Sequence, residues 1–441
     1  MMEGVHTLDK GGRTVERVTR RKFLQSTGAA VASVALGGKL AEWALAQEAP
    51  VTVGAVYPLT GALARIGAAI RNAIELAVDI VNNPYPELNL PLARGAGLPR
   101  LGGRKLRVVW GDSRGDPATG RAEAERLVER EGAVALIGSY QSAVTATASL
   151  AAEARGIPFL NPESSSPRLT ERGFKWFFRT GPHDITFTRI MFDMVEDLRR
   201  RGHRISRVAI LAEDSEFGAT AAGVAKGFAQ SRGYTVAAME LYTSPPASLT
   251  AELLRIRASN PDFVIGANYL VDAVLITRTL KEMRWFPQGF MVHAGFTTVP
   301  DYLNAVGRDG YYFLARAPWA LGIARRKPLV ARVNDLYRRK HGADMDEVAA
   351  RAFTGMLTLA DAINRAGSTS PAAIQKALRE TNIPGSQLIM PWQGIQFDDK
   401  GQNRHATGVM VQILDGEYKV VWPFDVAEAE LVWPAPPWER R

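Results

Sequence analysis

The sequence predicts an α/β protein built as two domains with parallel sheets covered by helices. From Pro50 onward, short β-branched runs alternate with helical stretches. Strands followed by helices at this spacing give parallel sheets with both faces covered. The chain is also long: beyond residue 46 it still holds 395 of its 441 residues, the length of two ordinary domains.

Val51–Tyr57 reads as the first strand, followed by a turn at Pro58–Gly61 and a helix from about Ala68 to Val81. Asn83–Gly103, with four prolines and four glycines, is a loop of about 20 residues, longer than loops usually run. It reads as decoration of the first domain, with a part in docking as the alternative. Lys105–Trp110 is the next strand, Ala118–Arg130 a helix with Leu127 and Val128 inward, Ala133–Ile137 a strand ending at Gly138, and Ser142–Ala154 a helix. Pro158–Leu160 makes a short buried strand. The rhythm restarts with helix Ile185–Arg200, strand Val208–Leu211, helix Thr220–Arg232 and strand Thr235–Leu241. Leu249–Ser259, Phe263–Ala267 and Val271–Met283 continue it, and Tyr337–Arg379 is mostly helical. Val409–Leu414 and Tyr418–Trp422 flank Asp415-Gly416, a strong hairpin turn. The tail from Trp433 to Trp438 holds three prolines, so it is expected to lie extended on the surface.

The N-terminus carries its own message. Thr19-Arg20-Arg21-Lys22-Phe23-Leu24-Gln25 precedes a short Ala/Val/Gly-rich run, the pattern of a twin-arginine export signal. That run is too short for a stable span, which needs about 20 apolar residues. Ala44-Leu45-Ala46 presents small residues for a signal peptidase, so residues 1–46 are expected to be removed after Ala46 and the protein to work in the periplasm.

Composition excludes much chemistry. There is no cysteine, hence no disulfide, thiolate metal site or cysteine nucleophile. The six histidines fall in no metal-ligand spacing, so neither metal nor cofactor is expected. No nucleophile elbow, phosphate loop or dinucleotide fingerprint occurs, and Glu163-Ser164-Ser165-Ser166 lacks a base at readable spacing. Of the net charge of +9, residues 1–46 carry +3; the rest is scattered among acids, giving no nucleic-acid stripe.

Ligands of such sheets bind beyond the carboxyl ends of the strands. There the sequence places small polar loops: Pro58–Gly61, Gly138-Ser139-Tyr140-Gln141-Ser142, and Asn161 to Pro167. Ser142 reads as a helix N-cap with free backbone N–H groups behind it, an arrangement suited to a carboxylate.

These loops, taken in order, resemble the type I periplasmic binding proteins of the leucine/isoleucine/valine-binding group, the receptors of ABC importers. The resemblance runs from about Val51 to Trp422. It is carried by Val56–Gly61, Gly111–Pro117, Leu136-Ile137-Gly138, Gly156–Phe159, Ser166–Thr170, Phe178-Arg179-Thr180 and Phe217-Gly218. It implies two lobes, 51–181 with 316–403 and 182–315 with 404–425, joined by three hinge strands and followed by a tail at 426–441. It further implies no catalysis, membrane permease subunits as partners and a monomeric receptor. A periplasmic sensor of the same fold is the alternative, with an exported hydrolase further behind.

Carried over by position, Ser142 would hold the ligand carboxylate, Ser164 and Ser165 would serve carboxylate and ammonium, and Ile66 would line the cleft. Tyr140 neighbours these in the same loop. Tyr269 would meet the ligand from the second lobe, and Phe217 stands where a tyrosine is common. Gly295, or neighbouring Phe296, stands where amino-acid binders place a glutamate for the ammonium. A buried ammonium without that partner would lose a charge-assisted bond of about 1.5–3 kcal/mol. The expected ligand is therefore a small carboxylate with an apolar body, or an amide, unless Asp214, Glu216 or Asp272 replaces the glutamate.

Overall fold

The computed structural model describes residues 49–293 and 300–441; the expected export signal and its cleavage point lie outside these, as do Gly295 and Phe296. The first half alternates strictly: β1 (Val51–Tyr57), α1 (Ala64–Asn82), β2 (Leu106–Asp112), α2 (Pro117–Glu129), β3 (Ala135–Gly138), α3 (Ser142–Arg155), β4 (Phe159–Asn161), α4 (Arg168–Glu171) and β5 (Phe177–Arg179). Its five-stranded sheet has the order β2-β1-β3-β4-β5, every pair parallel. β1 is buried along its whole length because helices cover both faces of the sheet. Ile70, Ile74 and Ala77 of α1 pack on one face, and Ala124, Leu127 and Ala148 of α2 and α3 on the other.

The second half repeats the scheme with α5 (Asp184–Arg200), β6 (Arg207–Glu213), α6 (Glu216–Ser231), β7 (Thr235–Tyr242), α7 (Thr250–Ala258), β8 (Phe263–Ala267), α8 (Leu270–Glu282), β9 (Gly289–Val292), α9 (Pro300–Val306) and β10 (Leu314–Ala317). Its sheet begins β7-β6-β8-β9-β10, the same permutation as the first, all parallel. In both sheets the order reverses between the first strand and its neighbours, which opens a crevice at the carboxyl ends.

The chain then returns to the first core. α10 (Pro328–His341), α11 (Glu347–Ala366), α12 (Pro371–Arg379) and the small ladder of β11 (Ile383–Pro384) with β12 (Gly394–Ile395) bury Val333, Phe353, Ile374, Met390 and Ile395 with Val53 and Ile74. α11 is buried without a break from Glu347 to Ala360, as a helix sandwiched between others must be. Finally β13 (Val409–Leu414) joins β10 antiparallel and turns into β14 (Glu417–Trp422) through Asp415 and Gly416, both at positive φ (51° and 80°) as a tight primed turn requires.

Three expectations need correction. The helical region begins at Pro328, not Tyr337, because Pro occupies the first position of α10, where its missing N–H costs nothing. The 83–103 loop is more than decoration: Leu88, Leu90, Ala93 and Leu98 are buried in the first core. The tail runs extended over the surface, with Pro434 and Pro437 exposed, but its first tryptophan does not stay there. Trp433 is only 8 % exposed, its ring lying against β9 where Gly289 leaves room; a Cβ there would stand 1.9 Å from the indole. Ala435 N–H bonds to Gln288 O at 2.8 Å, and Trp438 Nε1 to Trp285 O at 3.0 Å.

Candidate functional site

Where the carboxyl ends of the two sheets face each other, a small cavity is lined by Tyr140, Ser142, Glu163, Ser165, Phe217, Tyr269, Arg316 and Arg351. Both halves contribute. Tyr140 and Ser142 follow β3, Glu163 and Ser165 follow β4, Phe217 opens α6, Tyr269 precedes α8, Arg316 lies in β10 and Arg351 in α11.

The first-half loops are held by their own polar residues. Gly138 ends β3 at φ 149°, and a Cβ there would stand 2.4 Å from Val56 O, so only glycine lets the chain turn out of the sheet. Asn161 Nδ2 donates to Gly138 O at 2.7 Å and Ser139 O at 3.0 Å. Ser139 N–H donates to Thr145 Oγ1 at 3.0 Å, and Thr145 meets Ser164 Oγ at 2.6 Å. Ser164 is thereby spent: its hydroxyl donates to Ser139 O at 2.7 Å and braces the loop from behind the cavity.

Ser142 is the first residue of α3 rather than its cap; Gln141 holds the cap position. The Ser142 hydroxyl accepts from Ser166 N–H at 3.3 Å, which leaves its own proton for a ligand oxygen. It sits in the first turn of the helix, where unsatisfied N–H groups favour an anion.

Aromatic rings form the apolar wall. Tyr269 lies 5.4 Å from Phe217 and 6.3 Å from Tyr140, centroid to centroid, so rings from the two halves meet over the cavity. Burial raises the pKa of both tyrosines, keeping them neutral hydrogen-bond donors. The halves also touch beside the cavity: Ser166 Oγ donates to Glu216 Oε1 at 2.7 Å, and Arg168 Nη1 stands 3.6 Å from Glu216 Oε2.

The floor is charged. Arg351 donates Nη1 to Glu163 O at 2.7 Å and Nη2 to Glu347 Oε1 at 3.0 Å. Glu163 accepts from Tyr57 Oη at 3.0 Å with Oε2, while Oε1 has no hydrogen-bond partner. Burial pushes the Glu163 carboxyl up to about 8, against the pull of the Arg351 guanidinium. Arg316 is 3 % exposed and stacks over Phe187 at 3.7 Å. Its Nε and Nη1 have no hydrogen-bond partner, and its ion pair with Glu347 is long, 3.9 Å. Burial lowers its pKa to about 10, so it stays charged at neutral pH.

Of the residues picked from sequence, Tyr140, Ser142, Ser165, Phe217 and Tyr269 come together on the cavity. Ile66 does not: it faces the first core from α1. Gly295 and Phe296 lie outside the described residues. The acids considered as replacements for a glutamate are engaged elsewhere. Asp214 accepts from Thr243 Oγ1, Glu216 from Ser166, and Asp272 from Ser244 Oγ and Tyr269 N–H. The cavity has an acid after all, Glu163, and sequence reasoning missed it along with Arg316 and Arg351. The signals were present: an arginine inside the apolar strand Leu-Ala-Arg-Ala, and a Glu347/Arg351 pair in a helix too apolar to be exposed. Among the described residues no cluster of His, Asp and Glu could hold a metal ion, and no helix is long and apolar enough to cross a membrane.

Residues 50–417 match the family described as "Periplasmic binding protein". The Leu/Ile/Val-binding protein homolog 8 of Brucella suis is 27% identical over 424 residues, 94% of this chain and 99% of that protein. Among solved structures, a leucine-binding protein from Thermotoga maritima superposes with a TM-score of 0.72 at 20% identity, over 84% of this chain and 97% of that one. The branched-chain amino acid transporter substrate-binding protein LivJ of Streptococcus pneumoniae, in complex with isoleucine, gives 0.70 at 20% identity, over 87% and 100%. A two-sheet α/β fold, a cavity closed from both halves and a family match over most of its length agree: the chain belongs to the periplasmic binding proteins, a family of ligand receptors rather than enzymes.

Proposed function

We propose that this protein is the extracytoplasmic receptor of an ABC importer and captures a small carboxylate-bearing molecule between two closing lobes. One observation carries the reading: a single cavity lined by hydroxyls, rings and guanidinium groups drawn from both halves. The named relatives, a set of Leu/Ile/Val-binding protein homologues, support an amino-acid-like or organic-acid cargo. Ser142 and Ser165 would receive the carboxylate, and Tyr140, Phe217 and Tyr269 the body of the ligand. The lobes would be 51–181 with 316–403 and 182–315 with 404–425, hinged where the chain passes between them.

In this reading the protein is a periplasmic monomer delivered by the twin-arginine route, and it hands its cargo to permease subunits. No reaction occurs; affinity comes from closure that buries the ligand and shifts the open–closed equilibrium. The test is a thermal-shift screen of the full chain against amino acids, aliphatic and aromatic carboxylates, and amides. A cleft ligand at 100 times its Kd stabilises by about 2.7 kcal/mol, a clear rise in Tm. No shift with any of these classes would overturn the reading.

A further inference from the structure

Arg316 is the least satisfied charge in the site. A guanidinium offers five N–H donors in a rigid fork and stays charged in proteins, so burying it with open donors is costly unless an acceptor arrives. Arg316 is buried to 3 % exposure, lines the cavity, and leaves Nε and Nη1 without an acceptor among the described residues. The neighbouring acids do not supply one. Glu347 gives its Oε1 to Arg351 at 3.0 Å and keeps its Oε2 3.9 Å from Arg316 Nη1. Asp184 stands 3.5 Å from His293 Nδ1 with neither of its oxygens in a hydrogen bond, and it makes no ion pair with Arg316. Glu163 is bound through Tyr57. Arg351 is in the opposite position, with all three of its nitrogens donating to protein oxygens.

The cavity therefore has two places that receive negative charge. One is the first turn of α3 with the Ser142 and Ser165 hydroxyls, and the other is the Arg316 guanidinium, whose Nε and Nη1 are open. We infer that the ligand carries two carboxylates, one held at Ser142 and Ser165 and the second held by Arg316, so that the cleft selects a small dicarboxylate over a monocarboxylate of the same length. This rests on the receptor reading above and narrows its substrate class. A forked donor and a carboxylate match two bonds to two oxygens, which a neutral amide or an alkyl end cannot reproduce. A plain aliphatic amino acid would leave Arg316 as unsatisfied in the closed state as it is without ligand.

The experiment is calorimetric titration of the full chain with succinate, glutarate and glutamate, and in parallel with butyrate, valerate and leucine. We expect at least one dicarboxylate to bind a hundredfold or more tighter than the monocarboxylate of equal length. Arg316→Met should bring that dicarboxylate down to the monocarboxylate level. Arg316→Lys should recover part of the loss, since it restores the charge without the fork. The comparison of ligands on the unaltered protein does not depend on either variant folding. Tight binding of leucine or a monocarboxylate, with no preference for the diacid, would overturn the inference and leave the receptor reading standing. Dicarboxylate binding unaffected in a folded Arg316→Met variant would also overturn it. Binding of neither series would overturn both.

Discussion

At the scale of single residues, the site is a set of groups whose burial is paid for unevenly. Glu163 shows how this reaches stability. Its folded pKa stands near 8 against an ordinary 4.5, so the native protein keeps a proton that the unfolded chain releases. Stability from this group is full below about pH 4.5 and is lost as pH rises towards about 8. Melting curves taken across that window should show Tm falling with pH more steeply for the native protein than for Glu163→Gln, which keeps the shape and removes the titration. Equal slopes would show that Arg351 holds Glu163 ionised throughout. The residues legible in the sequence, Ser142, Ser165, Phe217 and Tyr269, follow strands whose ends could be placed by pattern. Arg316 and Arg351 were missed although apolar surroundings marked them as buried, because burial alone does not say that a charge faces a cleft.

At the scale of elements, local patterning set most boundaries correctly. Val51–Tyr57, Phe263–Ala267 and the hairpin at Asp415-Gly416 fall where hydrophobic runs and turn chemistry put them. β9 escaped notice because it is only four residues long and is stabilised by its neighbours in the sheet. The tail was misjudged for a related reason. Proline excludes it from a sheet, but nothing local reveals that Gly289 leaves a slot for Trp433. Trp433→Ala should destabilise the protein by about 3 kcal/mol or more, as large-to-small changes of buried aromatics do. Gly289→Ala should destabilise too, by expelling the indole while removing no contact of its own. Urea melts of both would check this; an unchanged midpoint for Gly289→Ala would mean the tail does not bear on the second core.

At the scale of the whole molecule, the question is how two halves are held around a ligand. The protein–protein contacts beside the cavity are few: Ser166 and Arg168 on Glu216, Tyr140 on Tyr269, and Arg65 on Asp301. Exposed ion pairs of this kind are worth about 0–1 kcal/mol each, so a ligand that bridges the halves can decide the balance. Glu216→Ala should weaken ligand affinity severalfold without changing the melting temperature of the ligand-free protein. Small-angle scattering should show the radius of gyration falling when ligand is added, and a larger ligand-free value for this variant. A variant with native affinity would place the closing force elsewhere.

The path of the chain has a consequence for the order of assembly. The first core is incomplete until residues as late as Phe397 are present, since α10 to α12 and β11–β12 belong to it. The second is incomplete until β13, β14 and Trp433 arrive. A ribosome delivering this chain from its N-terminus therefore releases neither half in finished form before almost the last residue is made. Folding must wait for the completed polypeptide, and any handling before that moment meets two open cores at once.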